Sequence, residues 1–97
     1  MRDLLVSGTR VMTSDDVAEA LLDYAVELTS HHATAVARFP AIVDGQHVET
    51  QMVLGAGIPL TSVSVDPVLP VDLDGADLAA AQIRNRIWTL QGRATAQ

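Results

Sequence analysis

The dipeptide Asp44-Gly45 constrains this chain more than any other feature, because it lies between two runs of alternating apolar and polar residues. Asp-Gly favours the two-residue turn whose twist matches that of paired strands, since both central positions need positive φ. If that turn closes, residues whose numbers sum to 89 face one another. Ala35/Leu54, Ala37/Met52, Phe39/Thr50 and Ala41/Val48 then share one face. Val36/Val53, Arg38/Gln51, Pro40/Glu49 and Ile42/His47 share the other. A slip of one residue would destroy this segregation, so turn chemistry and alternation specify the same register. The pattern predicts Phe39 and Met52 inside, with Glu49 and Gln51 outside. Pro40 has no N–H for a ladder, which places its strand at an edge or a bulge.

The flanking segments read as short elements. Leu4–Val6 and Thr9–Met12 surround the turn-forming Ser7-Gly8 and form an opening hairpin or one bent strand. Thr13 is the expected N-cap of a first helix, with Asp16 three residues on. Asp15 and Asp16 stand where the helix dipole favours negative charge. Val17, Leu21, Tyr24, Ala25 and Leu28 recur on one helical face, which Leu22 and Val26 widen. Asp16, Glu19, Asp23 and Glu27 form the opposite stripe, and the helix should end near Ser30 to His32.

Beyond the hairpin, Gly55-Ala56-Gly57 turns the chain into a further strand, Leu60 to Val65. A turn on Ala56-Gly57 buries Thr61, Val63 and Val65, whereas a longer loop buries Leu60, Ser62 and Ser64. Apolarity favours the first. Asp66 to Asp74 contains Pro67 and Pro70 and reads as an extended connector. Asp74 is the expected cap of a second helix, with Asp77 in its first turn. Ala80, Ile83, Ile87 and Leu90 mark its buried face. Gly92 suits the position just past its end, which leaves 93–97 as a frayed tail.

The order β(β)-α-β-β-β-α describes an α+β domain spanning residues 1–97. Its economical form has two layers, an antiparallel β-meander with both helices on one face. A chain of 97 residues builds one core and buries only about 60–65% of its unfolded surface. Phe39, Tyr24 and Trp88 are the only aromatic residues, so aliphatic side chains must fill that core. A hydrophobic fraction of 48% excludes a disordered chain.

Twelve acidic residues against six basic ones give a formal charge of −6. Nucleic-acid binding draws most of its affinity from clustered cations, yet of the arginines only Arg84 and Arg86 lie close together. The α-β-β-β-α core shares its element order with double-stranded-RNA-binding domains. That resemblance is one of topology alone. Asp72, Asp74 and Asp77 occupy the start of the second helix, where phosphate would need cations. No nucleic-acid partner is expected.

The absence of Cys excludes disulfide scaffolds, zinc ribbons and thiol nucleophiles. Leu4-Leu5-Val6 is too short an apolar run for a signal peptide or a membrane helix, so the expected compartment is the cytoplasm. No metal, cofactor or catalytic constellation emerges. The aspartates from Asp72 to Asp77 lack the calcium-loop spacing, and helix capping accounts for them. His47 and Glu49 share a strand face, but His31 and His32 point in different directions from a helix end. Gly55-Ala56-Gly57 lacks the third glycine and the Lys-Ser/Thr of a phosphate loop, and no nucleophile elbow surrounds Thr61, Ser62 or Ser64.

The outer sheet face offers Val36, Arg38, Ile42, Glu49 and Val53 as a candidate interface, extended by Val63 and Val65 in the looser strand register. The leading expectation is therefore a non-catalytic interaction module, a homo-oligomer formed through the sheet face or an edge strand. A protein partner is the related case. The first alternative is a small-molecule-binding domain or enzyme with a pocket between sheet and helices. The second is an acidic inhibitor occupying a basic groove. The uninterrupted acidic stripe argues against self-association through the first helix.

Overall fold

The computed structural model describes residues 1–66 and 72–95, with side chains through Gly92. The connector prolines Pro67 and Pro70 lie outside the described residues. Two hairpins organise the sheet. Strands β1 (Arg2–Val6) and β2 (Thr9–Thr13) pair around Ser7-Gly8, and β3 (Thr34–Val43) and β4 (Gln46–Gly55) pair around Asp44-Gly45. Ser7, Gly8, Asp44 and Gly45 all have positive φ, between 48° and 81°, which is the turn that matches strand twist. The β3–β4 register pairs Val36 with Val53 and Phe39 with Thr50, the pairing that the sequence predicts throughout. Ala37, Phe39, Ala41, Met52 and Leu54 are buried, while Glu49 and Gln51 are exposed.

The strand order is β4-β3-β2-β1-β5, antiparallel throughout, so a meander runs through the first four strands. β5 (Thr61–Ser64) does not extend it beyond β4 but joins the far edge, beside β1. Only residues 56–60 join Gly55 to Thr61. Six extended Cα steps reach roughly 20 Å. Four strand spacings amount to about 19 Å, so a flat sheet would demand a fully stretched connection. The sheet curls instead. β2 meets β3 at the single pair Met12↔Ile42, and residues 50–53 of β4 come to share a small cavity with Val6, Thr9, Val11 and Ile58.

Pairing with β1 decides the β5 register against the apolar expectation. Leu4 faces Ser62, so Ser62 takes the core side, whereas Thr61 and Val63 point outward. The Ser62 Oγ is buried without a partner among the described residues. Gly55 permits the crossing that starts this connection. It adopts φ +127°, and a Cβ there would lie 2.2 Å from the Ala33 carbonyl oxygen. No side chain fits.

Helix α1 (Asp15–Ser30) is capped by Ser14, whose hydroxyl accepts from the Val17 N–H at 3.2 Å. The cap falls one residue later than expected because Thr13 still belongs to β2 and points inward. There Thr13, fully buried, donates to the Pro40 carbonyl at 2.9 Å. At the other end the His32 N–H reaches the Thr29 carbonyl and the Ala33 N–H the Leu28 carbonyl, with His32 at φ 53°. This is the left-handed helix stop that glycine usually supplies. Helix α2 (Ala76–Thr95) starts at Gly75 rather than Asp74, since the Gly75 carbonyl accepts the first intrahelical bond, from Ala79. It also runs past Gly92, which a helix with strong neighbours tolerates at about 1 kcal/mol relative to Ala.

Both helices lie against the face that carries Leu4, Val11, Phe39 and Met52, where they complete one aliphatic core. Val17, Leu21, Tyr24 and Leu28 of α1 pack with Ala76, Ala79, Ile83 and Ile87 of α2. Val26 does not widen the buried face, being 70% exposed, because α2 lies along the Asp23 side instead. We expect Met52→Ala to destabilise the fold by about 2–4 kcal/mol in urea unfolding, through the cavity it leaves. Gln51→Ala on the outer face should stay within about 0.5 kcal/mol of wild type. Equal losses at the two positions would contradict the register.

Candidate functional site

A groove of about 610 Å³ lies between the start of α2 and the turn end of the β3–β4 hairpin. Phe39, Ala41 and Val48 supply its floor from the hairpin, and Leu73, Leu78 and Ala79 its wall from α2. Arg38, His47, Glu49 and Asp74 stand around the rim. All four are exposed, as are Val48 and Leu78. His47 and Glu49 thus join a groove, as their shared strand face suggests, but in open contact with water.

The histidines are spread along the molecule. His31 ends α1 and lies 3.4 Å from Glu27, one helical turn back. His47 is the second residue of β4, beyond the full ten-residue length of β3. Among the described residues no group of three or more His, Asp or Glu side chains could hold a metal ion.

The acidic stripe of α1 is not the isolated solvent face that its sequence suggests. The helices run parallel, and Arg84 of α2 forms an ion pair with Asp23. Gln91 donates to Glu27 at 3.4 Å, and Asp16, Glu19 and Asp77 line a shallow cavity with Arg84 between the helices. A cation is therefore interleaved, and it comes from the second helix. The i, i+4, i+7 spacing sets Trp88 on the same stripe as Arg84 and Gln91. Trp88 is 77% exposed. Sequence pattern alone does not mark it, since one aromatic on an amphipathic helix has no stated side until the partner helix is placed.

The remaining arginines are dispersed. Arg2 lies 3.9 Å from Asp15 and Arg10 3.8 Å from Asp3. Arg86 donates to the Val36 carbonyl at 2.7 Å and stacks 4.9 Å from the centre of the Tyr24 ring. This contact answers a backbone need. Among the described residues no strand pairs with the N-terminal half of β3 on its β2 side, and Arg86 satisfies a carbonyl there.

On the outer face, the five residues singled out in the sequence divide. Val36, Arg38, Glu49 and Val53 are exposed. Ile42 retains only 9% exposure, because Met12 packs against it across the β2–β3 bridge. Val63 joins the outward set. No helix among the described residues is long and apolar enough to cross a membrane. Compared with known proteins, the chain matches no family model, no curated protein and no solved structure.

Two electrostatic tests follow from this distribution. The Met1 ammonium lies 2.9 Å from the Asp15 carboxylate and holds its pKa below the ordinary value, with Arg2 adding to the effect. A lowered folded-state pKa contributes stability above the unfolded value of about 4, lost as pH falls through the lowered one. Asp15→Asn should therefore lower stability slightly at neutral pH and flatten the acid limb of an unfolding series below about pH 4. An unchanged acid limb would contradict the pair. Titration with duplex and single-stranded oligonucleotides at physiological salt should give no saturable binding, because no cationic cluster is assembled among the described residues. Micromolar binding that weakens with added salt would overturn this.

Proposed function

We propose that this domain is a non-catalytic interaction module that self-associates through its sheet. The observation that carries this reading is the placement of exposed aliphatic side chains. Val36, Val53 and Val63, at 45%, 51% and 44% exposure, all lie on the outward sheet face. Arg38 and Glu49 stand among them as charges of opposite sign. A two-fold arrangement allows the sheet to meet its own copy, either across this face with each arginine near a glutamate or along an edge strand beside it.

The acidic-inhibitor reading weakens once Asp23 and Glu27 are seen to be engaged by Arg84, His31 and Gln91. The small-molecule reading rests on the groove beside α2, whose polar rim is solvated throughout.

Sedimentation velocity on wild type, Glu49→Arg and Trp88→Glu tests the proposal. Wild type should associate reversibly in the micromolar range. Glu49→Arg should weaken association by about tenfold, and Trp88→Glu should leave it unchanged. A wild type that stays monomeric at high micromolar concentration overturns the reading. So does disruption by Trp88→Glu alone, which would move the interface to the helices.

A further inference from the structure

Resting on the self-association just proposed, we propose that two copies pair in antiparallel fashion through residues 46–50 of β4, about a two-fold axis at Val48. His47 of each copy then faces Glu49 of the other.

The backbone supplies the first reason. In a two-residue hairpin the residues flanking the turn, here Val43 and Gln46, form a hydrogen-bonded pair. Even-numbered residues of β4 therefore bond to β3. His47, Glu49, Gln51 and Val53 direct their N–H and C=O groups away from it. Among the described residues β4 ends the strand order, so these groups form an open edge along a ten-residue strand. Proteins guard such edges with proline, lysine, bulges or brevity. Residues 46–54 contain no proline and no lysine, and Glu49 is their single carboxylate.

The curl of the sheet decides which part of this edge is free. Residues 50–53 border a cavity beside the β1–β2 turn, where Val6, Ser7 and Thr9 approach. Residues 47–49 border the groove beside α2 instead. An incoming strand thus has access near the hairpin turn.

Charge and shape then select the register. Centring on Glu49 would set two carboxylates against each other, with no cation in the pair. Centring on Thr50 or beyond would push the second copy toward the β1–β2 turn and place Val53 opposite His47. Centring on Val48 makes His47 and Glu49 of the second copy a hydrogen-bonded pair, twice over by symmetry. It also brings Val48 against Val48 at the axis. On that side of the sheet Leu78 is exposed above the same groove, so the grooves of the two copies merge and cover both apolar residues.

The chain contains no cysteine, which makes the register directly readable. Across a non-hydrogen-bonded antiparallel pair the Cα atoms lie about 4.5 Å apart, within disulfide range. Val48→Cys at low micromolar concentration should oxidise mainly to a covalent dimer that reductant reverses, while Val36→Cys and Val53→Cys should stay monomeric in denaturing gels. Glu49→Pro deletes an N–H that β3 does not use. It should keep the wild-type circular dichroism spectrum and weaken association at least about tenfold. If wild type associates but Val36→Cys or Val53→Cys crosslinks in place of Val48→Cys, copies meet through the sheet face. The edge proposal is then overturned while self-association through the sheet stands. If wild type remains monomeric at high micromolar concentration, both readings fall.

Discussion

The parity imposed by the Asp44-Gly45 turn governs more of this molecule than any single contact in its core. Once Val43 and Gln46 form the closing pair, every second backbone group along the hairpin has a fixed destination. On β3 the outward set includes Val36 and Pro40, and the chain answers both carbonyls. Thr13 donates to Pro40 from the end of β2, and Arg86 donates to Val36 from α2. Pro40 also falls where a missing N–H is harmless, since β2 ends beside it at Thr13. The Pro40 carbonyl is part-buried, where an unmet acceptor costs about 1–3 kcal/mol, so Thr13 fixes where β2 must stop, while the exposed contact of Arg86 with Val36 helps to orient α2.

The curl follows from a second constraint, the short connection between β4 and β5. Residues 56–60 cannot cross a flat sheet without being fully stretched, and Gly55 begins by doubling back over Ala33. Bending is concentrated where β2 and β3 share a single bridge. The concave side then holds the core, with two parallel helices closing it, and the convex side is left to solvent. The ion pair between Asp23 and Arg84 lies at the helix seam. It is solvated, and pairs of this kind contribute little to stability, so its effect is chiefly one of alignment between the helices.

What was legible in the sequence was local. The hairpin register could be read because turn chemistry and side-chain alternation are both short-range and agree over ten residues on each side of the turn. The first helix could be read from its periodicity, but its cap shifted from Thr13 to Ser14 because β2 uses Thr13 for a long-range hydrogen bond. The β5 register failed for a similar reason. Apolarity places Val63 inside only if β5 answers to β4, whereas the fold pairs it with β1, and Leu4↔Ser62 then fixes the faces. The acidic stripe looked unaccompanied because its cation, Arg84, lies 61 residues away. Of the candidate interface, four residues proved exposed and Ile42 did not, since nothing in the local pattern places Met12 beside it.

The conflict at β5 carries physical weight of its own. A domain of this size has a small margin of burial, and its core is almost wholly aliphatic. Turning Val63 outward and Ser62 inward forgoes apolar burial and leaves a hydroxyl without a partner among the described residues, which together cost on the order of 2–4 kcal/mol. Sequences tend to break local rules where something other than monomer stability is favoured. Val63 is not alone, for Val36 and Val53 share its outward face, while Val48 and Leu78 are exposed across a common groove. Covering either set would restore burial that the isolated chain lacks, and any binding to the folded state adds stability by mass action. Association and folding are therefore coupled in the self-associating reading. The edge of β4 has a further pull that the convex face lacks, since among the described residues it offers a row of backbone groups with no strand partner, which another strand can pair in register.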